Sequence, residues 1–152
     1  MESIAHELRQ AAAKLRLSPS EMRELPEPEN ADVVTAVLSN FVKSGHRRWW
    51  WEDFREPGVA RRFHEGDGWK RIPGIVPDCM ERIWFMAEDG RVAPYRVYET
   101  TAETASALVG ECSGFEYYLV AKNLSWLICE NHHHVVIAIG DQVEQQLAAS
   151  AG

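Results

Sequence analysis

An α+β fold is what this sequence predicts: N-terminal helices, then a mainly antiparallel sheet of about five to six strands interrupted by one helix, and a C-terminal helix. Three observations lead there. Apolar residues recur at helical spacing from residue 3 to residue 42, at a spacing of about two through most of the remainder, and at helical spacing again after Asp141. Turn and cap residues separate these stretches at short intervals. The 152-residue length suits one domain with a sizeable core, and neither an internal repeat nor an interdomain linker is visible.

In chain order, Ile4, Leu8, Ala11, Ala12 and Leu15 fall on one face of a helix over residues 3–16. Ser18-Pro19-Ser20-Glu21 reads as a second, short helix start, with Ser18 as N-cap and Glu21 closing a capping box; Leu25-Pro26-Glu27-Pro28-Glu29 ends it. Asn30 then caps a helix lined by Val34, Val37, Leu38, Phe41 and Val42 and stopped by Gly45. Residues 47–54 read as an aromatic strand with Trp49 and Trp51 on one face and Trp50 on the other. Residues 55–78 carry turn signals, Gly66-Asp67-Gly68 among them, without a clear period. A stretch this long without structure is uncommon in a compact domain and marks a functional or mobile segment.

Residues 82–87 and 95–99 form the next hairpin, around Glu88-Asp89-Gly90-Arg91. Thr100 to Glu103 supplies a capping box for a helix with Ala105, Leu108, Val109 and Cys112 on its apolar face. Three strands follow, at 115–121, 125–130 and 134–139, the first two joined by a turn at Lys122-Asn123-Leu124. A last helix begins near Asp141, with Val143 and Leu147 at i, i+4.

Charge narrows the function classes. The net charge of −7 divides as 4 basic and 7 acidic groups in residues 1–32, 11 and 9 in residues 33–98, and 1 and 7 in residues 99–152. So acidic a C-terminal part argues against nucleic acid, which demands a dense basic face, and fits better with a basic partner or simply with solubility. No apolar run approaches the roughly 20 residues that span a bilayer, so no membrane association is expected. The N-terminus lacks a basic start followed by an apolar stretch, which points to a cytoplasmic location. Cys79, Cys112 and Cys129 are odd in number and form no CxxC pair, the pattern of small core residues in a reducing compartment.

The richest segment for chemistry is 115–140. Half of the six histidines stand at consecutive positions, His132, His133 and His134, directly after Cys129, Glu130 and Asn131. If these residues are extended, Glu130, His132 and His134 share one face, and zinc or another divalent transition metal accepts such a ligand set. The competing reading is a hairpin whose rings bond nearby backbone and carboxylates, with no cofactor. Cys112, beside Glu111 at a helix end, and Cys129, in an apolar strand, are poorly placed to be activated thiols. Glu99, Glu111, Glu116 and Glu130 offer carboxylates for an acid/base couple, but nothing sets their separations. Arg47-Arg48-Trp49-Trp50-Trp51 mixes cations with aromatic faces, which suits single-stranded nucleic acid or, better in an acidic chain, a protein interface. The binding candidates are therefore Glu130, Asn131, His132, His133, His134, Glu116, Glu111, Trp49 and Trp51.

Phe115-Glu116-Tyr117-Tyr118, Trp126-Leu127-Ile128-Cys129-Glu130-Asn131-His132-His133 and Gly140 resemble the pattern of a bacterial family of uncharacterised small proteins, over roughly residues 83–140. That likeness implies no activity. In architecture the chain is also similar to the Smi/Knr-like (SUKH) immunity superfamily, small acidic cytoplasmic α+β proteins, and this resemblance implies toxin neutralisation by binding. The expectation is a non-catalytic, immunity-like protein-binding domain that engages a basic partner through its acidic β half. The alternative is a metal-assisted hydrolase built on Glu130, His132 and His134.

Overall fold

The computed structural model describes residues 3–43, 50–88, 95–112 and 114–150. Its elements are α1 (Ile4–Lys14), β1 (Arg23–Glu24), α2 (Glu29–Phe41), β2 (Val59–Arg62), α3 (Ile72–Ile75), β3 (Arg82–Ala87), β4 (Arg96–Thr101), α4 (Ala102–Gly110), β5 (Tyr117–Ala121), β6 (Leu127–Glu130), β7 (Val135–Ile139) and α5 (Asp141–Ala149), with single 3-10 turns at Trp50–Asp53 and Gly68–Arg71. The α+β class is as expected. Among the described residues, seven strands form one antiparallel sheet in the order β1-β4-β3-β5-β6-β7-β2.

Alternation along the strands divides the interior into two cores. Ile83, Phe85, Tyr117, Leu119, Ile128, Val136 and Ala138 face one way, against Leu8 of α1, Ile72 and Ile75 of α3, Leu108 of α4, and Val143 and Leu147 of α5. Met86, Val97, Tyr118, Val120, Leu127 and Cys129 face the other way, against Val34, Val37 and Phe41 of α2 and against Trp50. Strands β5 and β6, at the centre, are buried throughout.

Several local expectations are corrected. The Ser18 box does form, since Glu21 accepts the Ser18 N–H at 2.9 Å, but it closes a turn and no helix. The chain then extends into β1, which pairs with Glu99 and Tyr98. Asn30 is not a cap. It lies one residue inside α2 and is buried, where its Nδ2 donates to the Tyr95 carbonyl and its Oδ1 accepts the Val97 N–H, both at 2.8 Å. Thr101 replaces Thr100 as the cap of α4, its Oγ1 accepting from the Thr104 N–H at 3.2 Å; Thr100 donates instead to the Glu21 carbonyl at 2.7 Å.

The strand expected at 47–54 is a 3-10 turn where it is described. A bridge between Val42 and Phe54, with hydrogen bonds from Lys43 N–H to Asp53 O and Arg55 N–H to Phe41 O, clamps its far end and prevents extension. Trp50 is thereby buried, stacked on Tyr95 at 4.4 Å and tilted on Tyr118 at 4.9 Å. Gly45, Arg47, Arg48 and Trp49 lie outside the described residues, as do Asp89, Gly90 and Arg91 of the expected turn. The unassigned stretch 55–78 contains β2, which pairs with β7, and α3, whose Ile72 and Ile75 enter the core.

On β4, Glu99 accepts hydrogen bonds from Lys122, from Arg82 at 3.2 Å and from Arg23 at 3.3 Å. Lys122 foremost, with Arg82 and Arg23, holds its carboxyl down to about 2. A depressed carboxyl contributes stability above its unfolded value, and that contribution is lost as pH falls toward the folded value. Because the three cations are partly exposed and screened, Glu99→Gln is expected to cost about 1–2 kcal/mol at neutral pH. Urea denaturation between pH 7 and pH 3 should show that difference shrinking with acidity; a difference constant with pH would remove the electrostatic explanation.

Candidate functional site

The polar segment after β6 is a tight turn. Asn131 N–H donates to Val135 O at 3.0 Å and His134 N–H to Asn131 O at 3.1 Å, which leaves His132, His133 and His134 as a three-residue loop. His134 sits at φ 62°, the left-handed position that such loops usually give to glycine. Asn131, itself buried, holds the loop closed, its Oδ1 accepting from His133 N–H at 2.9 Å and Val135 N–H at 3.2 Å. The strand alternation expected for the histidines therefore does not apply, because the turn aims each ring by its own backbone angle. Among the described residues, no group of three or more His, Cys, Asp or Glu side chains is placed so as to hold a metal ion.

His132 turns toward Glu116. This carboxylate, 3% exposed, accepts from the His132 N–H at 2.9 Å, from the Trp51 indole N–H at 3.1 Å and from His132 Nδ1. Trp51 also donates its backbone N–H to the Tyr118 hydroxyl at 3.3 Å, and its ring meets His132 and His133 edge-on at 5.9 and 6.0 Å. Sequence reasoning named Trp51, Glu116, His132 and His133 separately, and the fold gathers them into one cluster.

Glu130 faces the opposite side of the sheet, in register with Tyr117. The Tyr117 hydroxyl donates to its Oε1 at 2.7 Å. Burial pushes the Glu130 carboxyl above the usual carboxylate range, against smaller lowering contributions from Tyr117 and His134. Glu130 lines a cleft of about 480 Å³, together with Asn131, His132, His134, Glu65, Trp69, Phe115 and the C-terminal end of α4. The Trp69 ring packs so closely on α4 that a Cβ on Gly110 would come within 2.6 Å of it. Likewise, the His134 ring packs over Gly66, where a Cβ would stand 3.2 Å away.

The remaining candidates do not join this arrangement. Glu111 caps α4 and pairs with Lys14 at 2.8 Å, and Glu99 lies within its three cations. Trp49 lies outside the described residues. Burial first, then Glu7 and Glu111, raises the Cys112 thiol to about 11, and burial raises Cys129 as well. Neither thiol is activated. Glu65 and Trp69 escaped the sequence reading, their only pointer being the glycine-bracketed turn at 66–68, and Phe115 stood in the richest segment without being named a candidate.

Two substitutions test the turn. Asn131→Ala strands two N–H groups and is expected to cost about 1–3 kcal/mol by urea denaturation. His134→Gly relieves the left-handed strain and is expected to add about 0.5–1 kcal/mol. A loss in the second case would show that ring packing over Gly66 outweighs the backbone strain.

None of the curated proteins matches the chain, and no solved structure does. One family model, described as a family of unknown function (DUF6756), matches residues 2–151. With the match running nearly end to end, and the hairpin, its turn and the cleft all inside it, the chain belongs to that family.

Proposed function

We propose that this chain is a non-catalytic, cytoplasmic protein-binding domain that engages a basic partner with the hairpin end of its sheet. The observation that carries this reading is the exposed imidazole turn, fixed from below by buried Asn131 and Glu116, beside half-buried Trp51 and an acidic cleft. Tryptophan on a rigid support is what interface hot spots favour, and a rigid turn loses little entropy when a partner docks. The excess of six acidic groups in residues 99–152 supplies long-range attraction for a basic surface. Burial raises the Cys112 and Cys129 thiols, which favours binding over nucleophilic catalysis at these positions. A toxin-neutralising role in a bacterial cell is the form of this reading that the likeness to the Smi/Knr-like (SUKH) architecture supplies.

The test is capture from a lysate of the native host with the purified chain as bait. One basic protein is expected to be retained and to elute at about 0.5 M salt. Trp51→Ala and His133→Ala, each checked for folding by circular dichroism, are expected to weaken its retention about tenfold. Retention of no protein, or equal retention by both variants, would sink the reading.

A further inference from the structure

The cleft has a charge character that narrows what can occupy it. Among the described residues its lining holds two carboxylates, Glu65 and Glu130, and no lysine or arginine. Glu130 is 6% exposed, and the Tyr117 bond to Oε1 is the one hydrogen bond to its carboxylate among the described residues. Its Oε2 is directed at Gly68, where a Cβ would approach to 2.9 Å. Elsewhere the cleft walls are apolar as well as polar: Trp69 packs on Gly110, and Phe115 packs against Tyr117 at 5.8 Å.

An anion in this space would face a carboxylate, and a neutral apolar group would leave that carboxylate buried without a counter-charge. A cation on an aliphatic stem meets both demands, with its charge on Glu130 and its stem and charge near aromatic rings. We propose that the cleft receives the ammonium or guanidinium end of a lysine or arginine side chain of the partner, with Glu130 as its counter-charge and Trp69 and Phe115 flanking the stem. This rests on the protein-binding reading above and names the contact that would give it specificity.

The raised Glu130 carboxyl fits this role, because a bound cation relieves the same burial penalty that favours its proton. The titratable groups facing it are Tyr117 from β5, His134 from the turn and Asp67 from the segment before the second 3-10 turn. Ionisation of Glu130 therefore strengthens binding of the cation as pH rises.

The test uses three probes against the full chain: the N-acetyl methylamides of arginine, lysine and, as a neutral isostere, citrulline. Binding is read calorimetrically and from the Trp69 indole resonance. A cationic probe is expected to bind about tenfold more tightly than citrulline, and Glu130→Gln should erase that margin. Glutamine retains an acceptor for Tyr117 and removes a buried charge, so the variant's urea midpoint should match or exceed that of the unsubstituted chain. Exposed Glu65→Gln, a second variant with no packing role, is expected to weaken the cationic probe about twofold. Equal binding of citrulline, or unchanged binding by Glu130→Gln, overturns the proposal. So does stoichiometric Zn²⁺ binding with no response to the organic cations. If the host's basic partner is captured equally by Glu130→Gln, this contact fails while the binding reading stands. If no partner is captured but the arginine probe binds through Glu130, the binding reading fails and the cation site stands.

Discussion

Glu116 is 3% exposed and accepts hydrogen bonds from the Trp51 indole, the His132 backbone and the His132 ring, joining three segments far apart in sequence. A carboxylate that deep is costly without donors, and the neighbouring chain supplies them to its Oε1 while Oε2 stays buried without a partner among the described residues. The imidazole turn is drawn down onto the start of β5, and the Trp50–Asp53 turn is drawn against it. Trp50 then enters the second core beside Tyr95 and Tyr118. The position of the exposed histidine rings thus follows from an interior charge.

The two glutamates at this end of the sheet are buried to a similar degree and treated differently. Glu116 gathers its donors on Oε1, its Oε2 being buried without a hydrogen-bond partner among the described residues, and serves to bind segments together. Glu130 receives one hydroxyl and opens on a cleft. Their separation follows from the pleat: Glu130 stands opposite Tyr117, one residue along from Glu116, so the two face different cores. A single hairpin thus carries two differently engaged carboxylates, one gathering donors on Oε1 from distant segments and one opening on a cleft.

How much of this could be read from the sequence depended on how local each determinant is. Helices α1 and α5, the 82–87 strand and the three strands after residue 115 are set by their own apolar period, and they stand close to where periodicity puts them. Asn30 defeated local reading because its partners, Tyr95 and Val97, are 65 and 67 residues away. The tryptophan run misled because clamping contacts from Val42 and Phe54 override the strand preference of its aromatic residues. The Ser18 box formed its hydrogen bond without its helix, since the chain after it extends to pair Arg23 and Glu24 with β4, a partner far away in sequence. The histidine cluster was visible at once. The cleft beside it was not, because Glu65, Trp69, Gly110 and Phe115 converge from three separate stretches of chain.

The sheet's two free margins are β1, two residues long, and β2, four residues long with Arg61 and Arg62 at its end. Arg61 turns its guanidinium onto the carbonyls of Leu147 and Ala148, at 3.4 and 3.3 Å, where the dipole of α5 is negative. Neither margin offers a long, bare row of peptide groups, and the cationic one discourages another strand from docking there, in a fibre or in a partner. In a chain of net charge −7, that placement also gives the molecule a direction. A positively charged visitor is repelled at the β2 margin and drawn elsewhere, so its orientation on arrival is selected before any contact is made.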